Sequence, residues 1–178
     1  MTRIIGGTAG GRQIAVPPTG TRPTSDRVRE ALFSALDARG VIADAEVLDL
    51  FAGSGALGIE ALSRGASTAI LVERDPRACA VIKSNVGAAG VRGALVRRSA
   101  VEAYLRGTPG PVDLVFVDPP YTDGIDPVVA RLPSWTRRDG VVVIERDSRS
   151  PAPVWPEGFE PDEPRTYGET TLHLATAT

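Results

Sequence analysis

Cysteine and histidine occur once each, as Cys79 and His173. One thiol cannot close an internal disulfide, and a lone histidine with no recognisable Ser or Cys partner gives hydrolase chemistry no support. Cys79 falls within a helical pattern and reads as a small buried hydrophobe, not a nucleophile. No stretch approaches the roughly 18 consecutive apolar residues of a membrane span, and the opening MTRIIGGTAGGRQIAVPP lacks the apolar core of a signal peptide. A cytoplasmic protein in a reducing compartment is expected. At 178 residues there is room for one domain with one sizeable core, which excludes a large multidomain enzyme. Lysine is almost absent as well, with Lys83 beside 19 arginines, a bias we treat as uninformative.

The net charge of −2 argues against a protein that coats nucleic acid by bulk electrostatics, but the charges are segregated. Residues 1–25 carry Arg3, Arg12 and Arg22 without an acid, whereas 151–178 carry Glu157, Glu160, Asp162, Glu163 and Glu169 against Arg165 alone. The front is basic and the tail acidic.

What is present is an alternation of short β-branched runs with helical patterns. RII (3–5) and RQIAV (12–16) flank GGTAGG, which predicts a hairpin with an exposed, flexible tip. A helix then starts at Thr24 or Ser25, with Asp26 in its first turn, Val28, Leu32, Ala35 and Leu36 on one face, and Gly40 as its stop. Arg22, Arg27 and Arg29 lie toward the opposite face. Strands are predicted at about 46–51, 68–73, 93–98, 112–117 and 140–145, each apolar enough to be buried on both faces, with helices at about 56–64, 76–89, 100–106 and 125–132. Two last strands, near 158–166 and 169–175, turn around Tyr167-Gly168. The expected fold is α/β and Rossmann-like. Its doubly wound, mainly parallel sheet is closed by an antiparallel C-terminal hairpin, in a single domain over 1–178 with a glycine-rich arm (1–24) and a catalytic core (25–178).

In such a sheet, ligands bind beyond the carboxyl ends of the strands. The first such place reads VLDLFAGSGALG. Gly53, Gly55 and Gly58 satisfy G-x-G-x-x-G between a strand and a helix, and Glu73 follows Gly53 by 20 residues at the end of the second strand. Glycines let backbone approach a ligand closely, and a carboxylate at that strand end can accept hydrogen bonds from both ribose hydroxyls. A nicotinamide dinucleotide fits poorly. Asp49 precedes the glycines, where it would repel a pyrophosphate and welcome an ammonium, and no basic residue in the loop offsets it. S-adenosylmethionine fits better, with Asp49 and the loop Phe51, Ala52, Gly53, Ser54 and Gly55 near its amino-acid end. Glu73 and Arg74 then fall at the ribose, and Ser99 and Ala100 at the adenine. The plainer alternative is that Asp49 only holds the loop and Glu73 is a solvated strand end.

The second place is VDLVFVDPPY. Asp118, Pro119, Pro120 and Tyr121 end the fourth strand, which a doubly wound sheet places beside the first. Two prolines fix φ and remove two donors, leaving carbonyls projecting rigidly. If Asp118 and the Pro119 carbonyl each accept one N–H of an exocyclic amine, the nitrogen lone pair is turned toward the sulfonium methyl, and Tyr121 can stack on the base. No metal is needed. A bare Pro-Pro pair would read as a strand-ending turn; the acid before it, the aromatic after it and the neighbouring glycine loop favour chemistry.

Together FAGSG and DPPY resemble Rossmann-type, S-adenosylmethionine-dependent methyltransferases of exocyclic amines. More closely, RIIGGTAGGRQIAVP, RPTSDRVREALFSAL, LDLFAGSGALGIEALSRGA, LVERD, DLVFVDPPY and YGETTLHL resemble, in that order, the bacterial small-subunit ribosomal RNA guanine-N2 methyltransferases of the RsmD family. That resemblance spans nearly the whole chain and implies the class I methyltransferase version of the Rossmann-like fold. It implies methylation of one guanine N2 in 16S rRNA on an assembled or assembling 30S particle by a monomeric enzyme, with no metal and no membrane partner. Arg3, Arg12, Arg22 and Arg27 are then the candidate RNA contacts, against the ordinary reading of solvated arginines. Three alternatives stay open: a DNA amino-methyltransferase acting on adenine N6 or cytosine N4, a nicotinamide oxidoreductase, and a non-catalytic RNA-binding assembly factor.

Overall fold

The computed structural model describes residues 1–18, 24–120 and 124–178. Two short strands, β1 (Thr2–Arg3) and β2 (Gln13–Ile14), pair antiparallel and precede α1 (Asp26–Ala38). Strands and helices then alternate through β3 (Glu46–Leu50), α2 (Ala56–Ser63), β4 (Thr68–Glu73), α3 (Pro76–Ala89), β5 (Ala94–Arg98), α4 (Val101–Leu105) and β6 (Val112–Val117). Two single-turn helices, α5 (Asp126–Val129) and α6 (Leu132–Trp135), lead into the long β7 (Thr136–Asp147), and β8 (Phe159–Pro161), β9 (Arg165–Tyr167) and β10 (Thr170–Ala177) complete the chain.

The main sheet has the order β5-β4-β3-β6-β7-β10-β8, with β9 also on β10. Its first five strands run parallel and β10 runs antiparallel between β7 and β8. The chain winds outward from β3 to β5, then returns to place β6 on the other side of β3. That reversal opens a crevice at the carboxyl ends of β3 and β6, as the doubly wound reading requires.

Side chains alternate across the strands, so each face has its own core. Val47, Leu71, Phe116 and Val143 pack with Phe33 and Leu36 of α1 and Leu57 and Ala61 of α2. On the other face Leu48, Leu50, Val72, Val117 and Ile144 pack with Trp135, Val101 and Leu105. The helix α1 begins where its sequence says it should. The Ser25 hydroxyl accepts the Val28 N–H at 3.2 Å, and Gly40 leaves the helix at φ 68°, a left-handed conformation that favours glycine.

Four expectations are corrected. The strand β5 is not buried on both faces, because it is the sheet edge and Leu95 is 45% exposed. The first strand of the tail hairpin is two strands, β8 and β9: Pro161 and Pro164, which have no N–H to give, flank the break, and the register on β10 shifts by one residue across it. Arg29 is not on a solvated face: it is 1% exposed and donates to the Arg3 carbonyl and to Asp26.

The hairpin tip, finally, is docked rather than free. Thr8 N–H donates to the Ser63 carbonyl at 2.8 Å, Ala9 N–H donates to the Ser63 hydroxyl at 2.8 Å, and Ala9 is buried. A Cβ on Gly7 would stand 1.9 Å from the Ser63 carbonyl oxygen, so the glycine is there for close approach to α2.

Candidate active site

The glycine loop leaves β3 through a run of unusual backbone. Phe51, Gly53 and Gly55 have φ of 61°, 58° and 81°, and for Phe51 the left-handed conformation costs on the order of 1–3 kcal/mol. Strain of that kind persists where surrounding bonds over-determine it, and here they do. Ala52 N–H donates to the Val72 carbonyl at 3.0 Å and Gly55 N–H to the Ala52 carbonyl at 2.7 Å. The Ser54 carbonyl accepts from Asn85 at 2.8 Å and the Ser54 hydroxyl accepts the Ala56 N–H at 3.3 Å.

Asp49 lies under the loop, 1% exposed, with one carboxylate oxygen accepting the Gly58 N–H at 3.0 Å. That bond ties β3 to the first turn of α2, just past the glycine loop. Burial pushes this carboxyl up to about 7, the Gly58 bond opposes the rise and the Glu73 charge adds to it. Gly58 is the close-packing glycine, since a Cβ there would meet Leu71 at 2.8 Å and Asp49 at 3.2 Å.

Glu73 ends β4 half-buried, its two oxygens accepting Gly53 N–H at 2.9 Å and Asp75 N–H at 3.0 Å. Ser99 and Ala100 stand beside it, at the turn from β5 to α4: Ser99 N–H donates to the Glu73 carbonyl at 3.0 Å, and its hydroxyl donates to the Ala100 carbonyl. Arg74 follows Glu73 and is exposed. Cys79 is buried, with its thiol toward the Glu73 carbonyl at 3.3 Å and pushed up mainly by burial, so it is an inert packing group.

Across the switch point, Asp118 follows β6 directly, with Pro119 buried and Pro120 half-buried behind it. Burial, then the charges of Glu145 and Asp49, hold the Asp118 carboxyl well above the usual range, against a hydrogen bond from Thr24. Tyr121 lies outside the described residues, as does Arg22.

Strand register shows why these acids act on one another. Asp49 pairs with Leu71 and with Phe116, and Phe116 pairs with Val143. Two residues on from Leu71, Phe116 and Val143 come Glu73, Asp118 and Glu145, so side-chain alternation puts all four carboxyls on one face at one end of the sheet. Such a face suits a cationic ligand with hydroxyls and N–H donors and repels phosphate. Among the described residues no cluster of His, Cys, Asp and Glu is arranged to hold a metal ion.

The sequence reading missed three polar residues. Glu145 receives the Thr24 hydroxyl at 2.8 Å. Asn85, 2% exposed on α3, bonds the Ser54 carbonyl and both backbone groups of Ala15. Glu60, fully buried on α2, accepts the N–H groups of Ile5 and Gly6 and so seats the arm on the core. The candidate RNA contacts divide. Arg12 caps α3 by donating to the Ala89 carbonyl at 2.8 Å, Arg3 pairs with Asp26 at 3.0 Å, and Arg27 is exposed on α1.

Residues 2–176 match the protein family described as Conserved hypothetical protein 95. Ribosomal RNA small subunit methyltransferase D of Escherichia coli K12 is 37% identical over 176 residues, covering 97% of this chain and 88% of that protein. The chain belongs to this RsmD family. Its members include the Haemophilus influenzae protein of the same name, 31% identical over 180 residues, covering 97% of this chain and 92% of that protein. The solved structure of the yhhF protein from Escherichia coli superposes with a TM-score of 0.89 at 36% identity, over 99% of this chain and 97% of that one. An RsmD-family chain with a class I methyltransferase fold is a ribosomal RNA methyltransferase, and the oxidoreductase and silent-factor alternatives fall away.

Proposed function

We propose that this chain transfers the methyl group of S-adenosylmethionine to the exocyclic N2 of a guanine in 16S rRNA, acting as a cytoplasmic monomer on an assembled or assembling small subunit. The observation that carries the reading is the single-faced row of four carboxyls across the switch point, Glu73, Asp49, Asp118 and Glu145. It provides acceptors for a cationic cofactor and for an amine-bearing base, in a fold and family of RNA methyltransferases.

The donor set fits the cofactor. Around the loop Phe51, Ala52, Gly53, Ser54 and Gly55, the carboxylates of Asp49 and Glu73 would hold its ammonium end and ribose, and Ser99 and Ala100 its adenine; Arg74 lies at the rim. Bound there, the cofactor supplies a methyl carbon on a sulfonium that leaves as a neutral thioether.

The protein's own part is orientation and proton handling. An exocyclic amine is a poor nucleophile because its lone pair is delocalised into the ring. Asp118 and the rigid Pro119 carbonyl accept its two N–H groups, Pro120 fixes the turn behind them, and Tyr121 stacks on the base, an interaction worth about 1–3 kcal/mol. The alkylated nitrogen gives its extra proton to Asp118. Ionisation of Asp118 is opposed by its surroundings in the free protein, and both a cationic neighbour and N–H donors favour it.

The deciding experiment is radiolabelled methyl transfer to undermethylated small subunits, free 16S rRNA and duplex DNA, with nucleoside identification. N2-methylguanosine in subunit rRNA is expected, and label in adenine, cytosine or DNA would refute the reading. Asp118→Ala should retain S-adenosylhomocysteine binding and lose transfer by at least about 100-fold.

A further inference from the structure

Glu145 stands in the row of four carboxyls, yet no atom of cofactor or base has been matched to it, and its position is odd for a structural acid. It lies one residue beyond the last pair of β6 and β7, Val117 with Ile144, so it stands beside Asp118 on the adjacent strand and on the same face. It is half-buried, it accepts the Thr24 hydroxyl at 2.8 Å, and Thr24 is the residue before the cap of α1. Two carboxyls are thus brought together where one would suffice to hold an amine. Thr24, just ahead of α1, steadies the second of them.

The bases differ in what lies next to their exocyclic amine. In guanine the N2 amine neighbours N1–H, a donor. In adenine and cytosine the amine neighbours a ring nitrogen that accepts. A carboxylate next to the amine acceptor therefore welcomes guanine and meets a lone pair on the other two. We propose that Glu145 is a specificity-determining residue, accepting the guanine N1–H while Asp118 accepts an N2–H, a role that rests on the guanine-N2 reading above. Burial opposes ionisation of Glu145 and the Thr24 bond favours it, so the serine–threonine segment ahead of α1 keeps the acceptor form within reach.

The test uses small subunits reconstituted with guanosine or 2-aminopurine at the methylated nucleotide. The analogue keeps the 2-amine but presents N1 as an acceptor. Wild-type enzyme should prefer guanine by about 100-fold in kcat/KM, since the wrong base leaves buried polar groups unpaired. Glu145→Gln can turn its amide N–H toward N1 of the analogue, and should compress that preference to less than about tenfold with S-adenosylhomocysteine affinity unchanged. An unchanged ratio, or an equal loss on both substrates, would overturn the proposal, and so would a wild-type enzyme that uses both bases alike, whatever the variant does. A wild-type product other than N2-methylguanosine would overturn the guanine reading itself, and this proposal with it.

Discussion

Replacing Glu60 with glutamine keeps the shape of the side chain and removes its charge. In the wild type one oxygen accepts Ile5 N–H at 2.8 Å, and the other accepts Gly6 N–H at 2.9 Å and Arg64 Nε–H at 2.9 Å. A carboxylate can serve all three because both its oxygens only accept; an amide has one acceptor and one donor end. The least costly orientation turns the amide nitrogen toward Ile5, leaving a buried donor facing a donor at about 1–3 kcal/mol. Arg29, with Nη1 3.7 Å from the carboxylate, and Arg64 also lose a counter-charge in a buried setting. Asp26 and Asp37 still pair with them, so the loss stays at the low end of the 3–5 kcal/mol for breaking a buried pair. We expect about 3 kcal/mol in total. At a urea slope of about 2 kcal/mol/M the unfolding midpoint falls by about 1.5 M. Hydrogen exchange at Ile5 and Gly6 should lose its protection in the same variant. A loss under about 1 kcal/mol with those amides still protected would show that the arm is held by something other than this carboxylate.

The Asp49 carboxyl predicts a pH dependence. Its value in the folded protein, about 7, exceeds the ordinary 3.8, so its contribution to stability is present at acid pH and is lost as pH rises through 7. Cofactor binding runs the other way: affinity for the ammonium-bearing S-adenosylhomocysteine should rise by up to tenfold per pH unit below about 7 and level off above it. Asp49→Asn keeps an acceptor for Gly58 N–H and should flatten that rise. Calorimetry from pH 5.5 to 8.5 compares the two, and superimposable profiles would remove Asp49 from the cofactor argument. For the RNA surface, Arg27→Glu is a cleaner probe than a change at Arg12, whose loss would also uncap α3. Filter binding to rRNA or subunits should show weaker affinity and a smaller salt slope, by about one for one lost phosphate contact, with transfer to bound substrate retained.

The strands, the switch point and the two motif loops were legible in the sequence because each rests on local chemistry. Runs such as VDLVFV carry their own burial signal, glycines at Gly53 and Gly55 carry their own conformational one, and Asp118-Pro119 ends a strand by removing donors. What was not legible depends on partners far along the chain. Nothing local singles out Glu60 or Asn85: their partners Ile5 and Ala15 lie 55 and 70 residues away, and no periodicity reports that. Arg29 was misplaced for the same reason: a buried guanidinium looks like a solvated one until its acceptors are known. The glycine-rich tip looked flexible because glycine permits both freedom and close approach, and only the Ser63 carbonyl under Gly7 distinguishes them.

Asn85 gives the arm and the glycine loop a common anchor, since one side-chain amide holds Ala15 on one side and Ser54 on the other. Moving either segment strains bonds on the same planar group. If a ligand that stills the loop also stills the arm, reciprocity requires that whatever grips the arm tighten the loop by the same factor. The arm and the loop proposed to hold the cofactor thus meet at residue 85.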